Sequence, residues 1–139
     1  MIQKNLFGKN YTKGKIGEYL AINKFQKLKF VWECNIDKDN HHDFDFVVNG
    51  KKVEVKLASA SFFGFKTHHP YGRWVFNYTR EKDKFDFLVC IGQTKDRTVY
   101  MIIPREKIKG EKAIAVYPFS KTENWKYYSS FINRWDLLK

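Results

Sequence analysis

Asp45, Glu54 and Lys56 lie on either side of the pair Asn49-Gly50, and that pair decides whether they can act together. Asn-Gly between alternating apolar residues marks a two-residue type I′ turn, because both central positions need a positive φ. Such a turn pairs Val48 with Lys51, so that the numbers of opposed residues sum to 99. Asp45 then faces Glu54, and Asp43 faces Lys56, with opposed Cβ atoms about 5 Å apart. Alternation sends Phe44, Phe46, Val53, Val55 and Leu57 to the other face, toward a core. Two neighbouring carboxylates repel unless a proton or a cation joins them. A hard cation such as Mg²⁺ takes oxygen ligands and leaves other positions to water and phosphate. It lowers the pKa of its water and stabilises charge on an attacked phosphate. A lysine beside it orients or deprotonates that water, or neutralises the transition state. The set is therefore a minimal centre for phosphodiester hydrolysis.

The competing reading is a solvent-facing strand pair with weak salt bridges. Two features count against it. Asp is depleted in strands, yet this one holds both Asp43 and Asp45. The second is Glu18. Residues Lys13 to Lys29 read as a helix, capped by Thr12, with Gly14, Glu18, Ala21, Phe25 and Leu28 on one face and Ile22 beside them. A carboxylate on that apolar face costs several kcal/mol, on the order of a buried charge, unless a metal or a base compensates it.

The remaining elements must position these groups. Strands are expected at 30–34, 44–48, 51–57, 73–78, 87–92 and 98–103, with a short one at 113–117. A last helix is expected from Ser120, where Ser120 and Glu123 form a capping box, with Trp125, Tyr128, Ile132 and Trp135 on one face. A helix, a run of strands and a closing helix suggest an α/β fold on one mixed sheet, spanning 1–139 as a single domain.

The composition, 43% hydrophobic and 18% aromatic, belongs to a chain that folds. With 26 Lys and Arg against 15 Asp and Glu, the net charge of +11 favours a polyanionic partner and salt-dependent binding. No apolar run approaches the roughly 20 residues of a membrane span. The start of the chain lacks a secretory signal, so a cytoplasmic location is expected. Cys34 and Cys90 fall in apolar strands and read as small buried residues in a reducing compartment. With the four histidines they match no zinc spacing. The stretch from Phe62 to Trp74 interleaves aromatic and basic residues, a pattern that serves equally to stack on unpaired bases or to pack on the sheet.

Gly14-Lys15-Ile16-Gly17-Glu18, His42-Asp43-Phe44-Asp45 and Val53-Glu54-Val55-Lys56 together resemble the PD-(D/E)XK nuclease superfamily. A looser likeness runs through Trp74-Val75-Phe76, Asp86 to Val89 and Ile102 to Arg105. The resemblance implies a restriction-endonuclease-like αβββαβ core, a central mixed sheet flanked by helices. It implies a Mg²⁺ site, open to Mn²⁺, made by Asp45, Glu54 and the Val55 carbonyl, with Lys56 as the catalytic lysine. Asp43 is the alternative to Asp45, because the interval from Asp45 to Glu54 is only nine residues. Glu18 is similar to the helix acid of archaeal Holliday junction resolvases and of intron-encoded homing endonucleases, groups that act as dimers. The implied activity is metal-dependent DNA endonuclease action on branched DNA or specific duplex sites, in a homodimer from a phage or mobile element. Lys13, Lys15, Lys66, His68, His69 and Arg73 are the candidate DNA-backbone contacts. A nucleic-acid-binding module without catalysis is the alternative function.

Overall fold

The computed structural model describes residues 13–35, 44–60, 71–78, 84–109 and 112–139. Helix α1 (Lys13–Lys27) opens the described chain. It ends in a Schellman turn. Phe30 N–H donates to the Phe25 carbonyl at 2.9 Å and Lys29 N–H to Gln26 at 3.1 Å, while Lys29 takes a φ of 59° in the position that glycine usually fills. The apolar stripe therefore stops early. Ala21 and Phe25 are buried, but Leu28, expected on the same face, lies past the last turn and is exposed.

Strands β1 (Trp32–Cys34), β2 (Phe46–Val48) and β3 (Lys51–Ser59) follow as an antiparallel set. Asn49 and Gly50 take φ values of 49° and 84°, as a type I′ turn requires. The register is the expected one, with Phe46 opposite Val53 and Val48 opposite Lys51. Asn49 also ties the turn to distant chain. Its Oδ1 accepts from Val31 N–H at 3.0 Å and its Nδ2 donates to the Leu138 carbonyl at 2.8 Å.

Strand β5 (Phe87–Gln93) pairs in parallel with β3, and β6 (Thr98–Pro104) pairs antiparallel with β5, giving a five-stranded sheet in the order β1-β2-β3-β5-β6. Asp86 clamps the start of the parallel pair. Its N–H donates to the Lys52 carbonyl at 2.8 Å, and its carboxylate accepts from Lys52 N–H at 2.9 Å.

A single sheet was the expectation, but β4 (Trp74–Asn77) and β7 (Ala113–Val116) form a separate two-stranded ribbon. The cause is packing. Trp74, Phe76 and Tyr78 from β4 join Ile114 and Val116 from β7 in one core with Ala58, Leu88, Cys90, Met101 and Ile103 of the main sheet. The ribbon thus covers a sheet face where the resemblance implies a helix. Gly92 permits the close approach, since a Cβ there would sit 2.4 Å from the Trp74 indole.

The opposite sheet face carries Phe46, Val48, Val53, Val55, Val89, Ile91 and Ile102, packed under α1 and a C-terminal 3₁₀ turn at Trp135–Leu138. Helix α2 is short (Glu123–Ser129) and is capped by Thr122, whose Oγ1 accepts from Trp125 N–H at 3.3 Å. Ser120, the expected cap, bonds instead to the Tyr117 carbonyl and the Thr122 hydroxyl. Ile132 and Trp135 are not on this helix. Ile132 bridges to Met101 on β6, and Trp135 reaches the other core.

The architecture is therefore a central mixed sheet with α1 on one side and the β4–β7 ribbon with α2 on the other. No helix of the described residues is long and apolar enough to cross a membrane. Cys90 is buried as expected, but Cys34 is exposed, because β1 is the outermost strand.

Candidate functional site

Strand β3 has nine residues and β2 only three, so among the described residues the second half of β3 has no ladder partner on that side. Gly14, Glu18, Asp45, Glu54, Val55, Lys56, Leu57 and the β4 segment Val75–Asn77 line an open cleft of about 380 Å³ at that point. The four residues expected to act together, Glu18, Asp45, Glu54 and Lys56, thus share one cavity.

Each arrives by a different route. Glu54 and Lys56 alternate onto the sheet face that β4 covers, opposite Leu88 and Cys90 of β5. Glu54 is therefore not on an open surface. Its residue is only 3% exposed, and Lys56 Nζ lies 3.7 Å from its Oε2. A carboxylate so deeply placed is held charged only by neighbouring cations or hydrogen bonds. The salt-bridge reading of an exposed, solvated strand pair does not describe this residue.

Asp45 departs from simple alternation. It falls just outside β2, and its N–H donates at 2.9 Å to the carbonyl of Val53, the residue already opposite Phe46. Two consecutive residues thus address one partner, the pattern of a β-bulge. Phe44 confirms the break. It packs against the β4–β7 core, whereas unbroken alternation places it with Phe46 on the α1 side. The Asp45 carboxylate consequently turns along β3 rather than standing opposite Glu54, and its Oδ2 accepts from Val55 N–H at 2.8 Å. Asn35 fixes this bend from β1, with its N–H to the Asp45 carbonyl and its Nδ2 to the Phe44 carbonyl, both at 2.9 Å. In an extended strand the N–H and C=O of one residue leave on the same edge. The Val55 carbonyl therefore faces the side that Asp45 occupies.

Glu18 comes from the other layer. Gly17 docks α1 onto β3 so closely that a Cβ there would lie 3.2 Å from Leu57 Cβ. Gly14 and Glu18, one helical turn apart, then look into the cleft. Glu18 is half-buried at its wall rather than enclosed in the core.

The donor set suits a hard cation. Two carboxylates and an edge carbonyl border open space, which leaves room for water and phosphate oxygens. Among the described residues, no three His, Cys, Asp or Glu side chains are placed to hold a metal ion on their own. Burial pushes the Cys90 thiol well above its usual range, against a smaller opposing pull from the Lys56 charge, so Cys90 is a protonated neighbour and not a ligand.

Of the candidate DNA contacts, Lys15 is exposed on α1 and Arg73 is half-buried at the head of β4, both outside this cleft. Lys13 begins α1, but its side chain lies outside the description, as do Asp43, Lys66, His68 and His69 altogether. Three contributors were not foreseen. Asn35 and Gly17 position the acids, and Asn77 is a polar group on the cleft wall supplied by β4. Only Gly17 had a sequence signal, as part of the glycine-glutamate run on the helix.

No protein-family model matches the chain, and no curated protein sequence matches it. Among solved structures it is similar to a bacterial homing endonuclease, I-Ssp6803I, with 19% identity, a TM-score of 0.69, and coverage of 94% of this chain and 93% of that one. The chain shares the fold of that endonuclease across nearly the whole length of both.

Proposed function

We propose that the protein is a Mg²⁺-dependent DNA endonuclease of the PD-(D/E)XK type, hydrolysing phosphodiester bonds in specific duplex sites or branched DNA. The observation that carries this reading is the meeting of Asp45, Glu54, Val55, Lys56 and Glu18 in one cleft at the open edge of β3. The fold shared with a homing endonuclease and the net charge of +11 support the same reading.

Asp45, Glu54 and the Val55 carbonyl would hold Mg²⁺ or Mn²⁺. When bound, the metal supplies Lewis-acid stabilisation of phosphate charge and a more acidic water. Asp45 is held in place for this by Val55 N–H and by Asn35. Glu54 is fixed by its burial under β4, which keeps its carboxylate from swinging into solvent. Lys56 directs its ammonium toward the same cavity. It counters charge building on the phosphate oxygens and orients the water that attacks phosphorus as the opposite P–O bond breaks. Glu18, from the far wall, accepts a hydrogen bond from that water and steadies the approach. One such centre cuts one strand, so cutting a duplex calls for a homodimer.

The test is incubation with plasmid, linear duplex, single strand and a four-way junction, in Mg²⁺ and in EDTA. The parent is expected to cleave in Mg²⁺ only, and Glu54→Gln and Lys56→Met to lose at least about 100-fold in rate. Absence of Mg²⁺-dependent cleavage on every substrate overturns the reading. Variants as active as the parent overturn the residue assignment.

A further inference from the structure

A second cleft, about 860 Å³ and larger than the first, opens at the C-terminal end of β3, between Ser59, Tyr71 and the β5–β6 turn at residues 94–97. Its rim carries two exposed cations, Lys95 and Arg97. The turn is closed by Thr94 N–H donating to the Arg97 carbonyl at 2.9 Å. Its one acid, Asp96, accepts from the Thr94 hydroxyl at 3.3 Å.

Arg97 is not a loose surface arginine. Its guanidinium sits 4.7 Å from the centre of the Phe119 ring, a cation–π contact that limits its wandering. Phe119 holds a φ of 57°, a left-handed conformation that costs a bulky residue about 1–2 kcal/mol. The ring is kept there by an edge contact with Tyr71 at 5.2 Å and a tilted contact with Trp125 at 5.0 Å. A strained aromatic thus backs a planar cation at the mouth of the groove, with the partly exposed Tyr71 beside it. Planar guanidinium held in advance is suited to phosphate oxygens.

The two clefts share a floor. Lys56 and Ser59 are three residues apart on β3, about 10 Å at roughly 3.3 Å per residue. The β4 segment links the same two places, with Tyr71 just before it at the second cleft and Val75–Asn77 at the first.

We infer that the cleft at the β5–β6 turn is a docking subsite for the sugar-phosphate backbone of DNA running on from the first cleft, with Lys95 and Arg97 as its anion contacts. The inference rests on the reading that this protein handles DNA. It also gives the Phe119 conformation a use, since it holds the arginine still.

The test is fluorescence anisotropy of a short labelled duplex and a four-way junction in EDTA, between about 50 and 200 mM salt, alongside cleavage in Mg²⁺. The variants are the double Lys95→Ala/Arg97→Ala and, as a control beyond the opposite end of β6, Lys107→Ala. The double variant is expected to bind at least about tenfold more weakly, with the log–log salt slope shallower by about two. In cleavage its KM rises while kcat holds. A double variant that matches Lys107→Ala in affinity and slope, while the parent cleaves, overturns the docking site and leaves the nuclease reading standing. Weakened binding by the double variant without any cleavage by the parent supports the docking site and overturns the nuclease reading. A parent that binds neither DNA overturns both.

Discussion

Replacing Asp45 separates its structural work from its proposed chemistry, because one carboxylate oxygen already has a defined task. Its Oδ2 caps Val55 N–H at 2.8 Å on an edge where β3 has no neighbouring strand among the described residues. Asp45→Asn keeps an acceptor oxygen there but removes the charge. In EDTA the loss of charge assistance is opposed by relief of repulsion with Glu54, so stability should change by no more than about 1 kcal/mol. Asp45→Ala leaves Val55 N–H without that acceptor, at a loss of about 1.5–3 kcal/mol. Unfolding entropy of about 2.1 cal/mol/K per residue gives about 0.29 kcal/mol/K for 139 residues, so that loss lowers Tm by roughly 5–10 °C. Mg²⁺ at roughly ten times its Kd stabilises the parent by about 1.4 kcal/mol. On the same entropy this is a rise in Tm of about 5 °C. The assay is thermal unfolding of the three proteins in EDTA and across a Mg²⁺ titration. The parent should show the Mg²⁺ rise; Asp45→Asn should keep the EDTA Tm and lose the rise. Two results refute the reasoning. A full Mg²⁺ rise in Asp45→Asn removes Asp45 from the metal site. A parent-like Tm for Asp45→Ala in EDTA removes the bond to Val55.

Two further outcomes probe the parts that support the site. Gly92→Ala places a Cβ 2.4 Å from the Trp74 indole and should cost about 3 kcal/mol through overpacking. Combined with Trp74→Leu in a urea-unfolding cycle, it should lose at least about 1 kcal/mol less than the sum of the single changes; strict additivity would mean that β4 is not seated on β5 through that contact. For the cysteines, an alkylating reagent at neutral pH should modify exposed Cys34 within minutes and leave Cys90 untouched until the protein is unfolded. Mass spectrometry of the modified peptides checks this, and rapid labelling of Cys90 in the folded protein would contradict the close packing beneath Lys56.

The local pattern of residues settled the hairpin and singled out the candidate groups. Asn49 and Gly50 admit positive φ at two consecutive positions, so the turn type and the register of β2 against β3 follow from the chain itself. Period-two alternation likewise placed Val53 and Val55 in a core and Glu54 and Lys56 on the opposite face. The clustering of Ala21 and Phe25 with that core needed no more than helical spacing. Tertiary packing decided the rest. Glu54 is buried because β4 lies over its face, and β4 does so because Trp74 fits over a glycine in β5. Asp45 caps Val55 instead of facing Glu54 because Asn35, ten residues earlier, holds a bulge at the end of β2. Cys34 is exposed because, among the described residues, no strand pairs beyond β1. In each case the deciding contact joins segments far apart in the chain, and alternation along one segment specifies which residues share a face but not what will cover it.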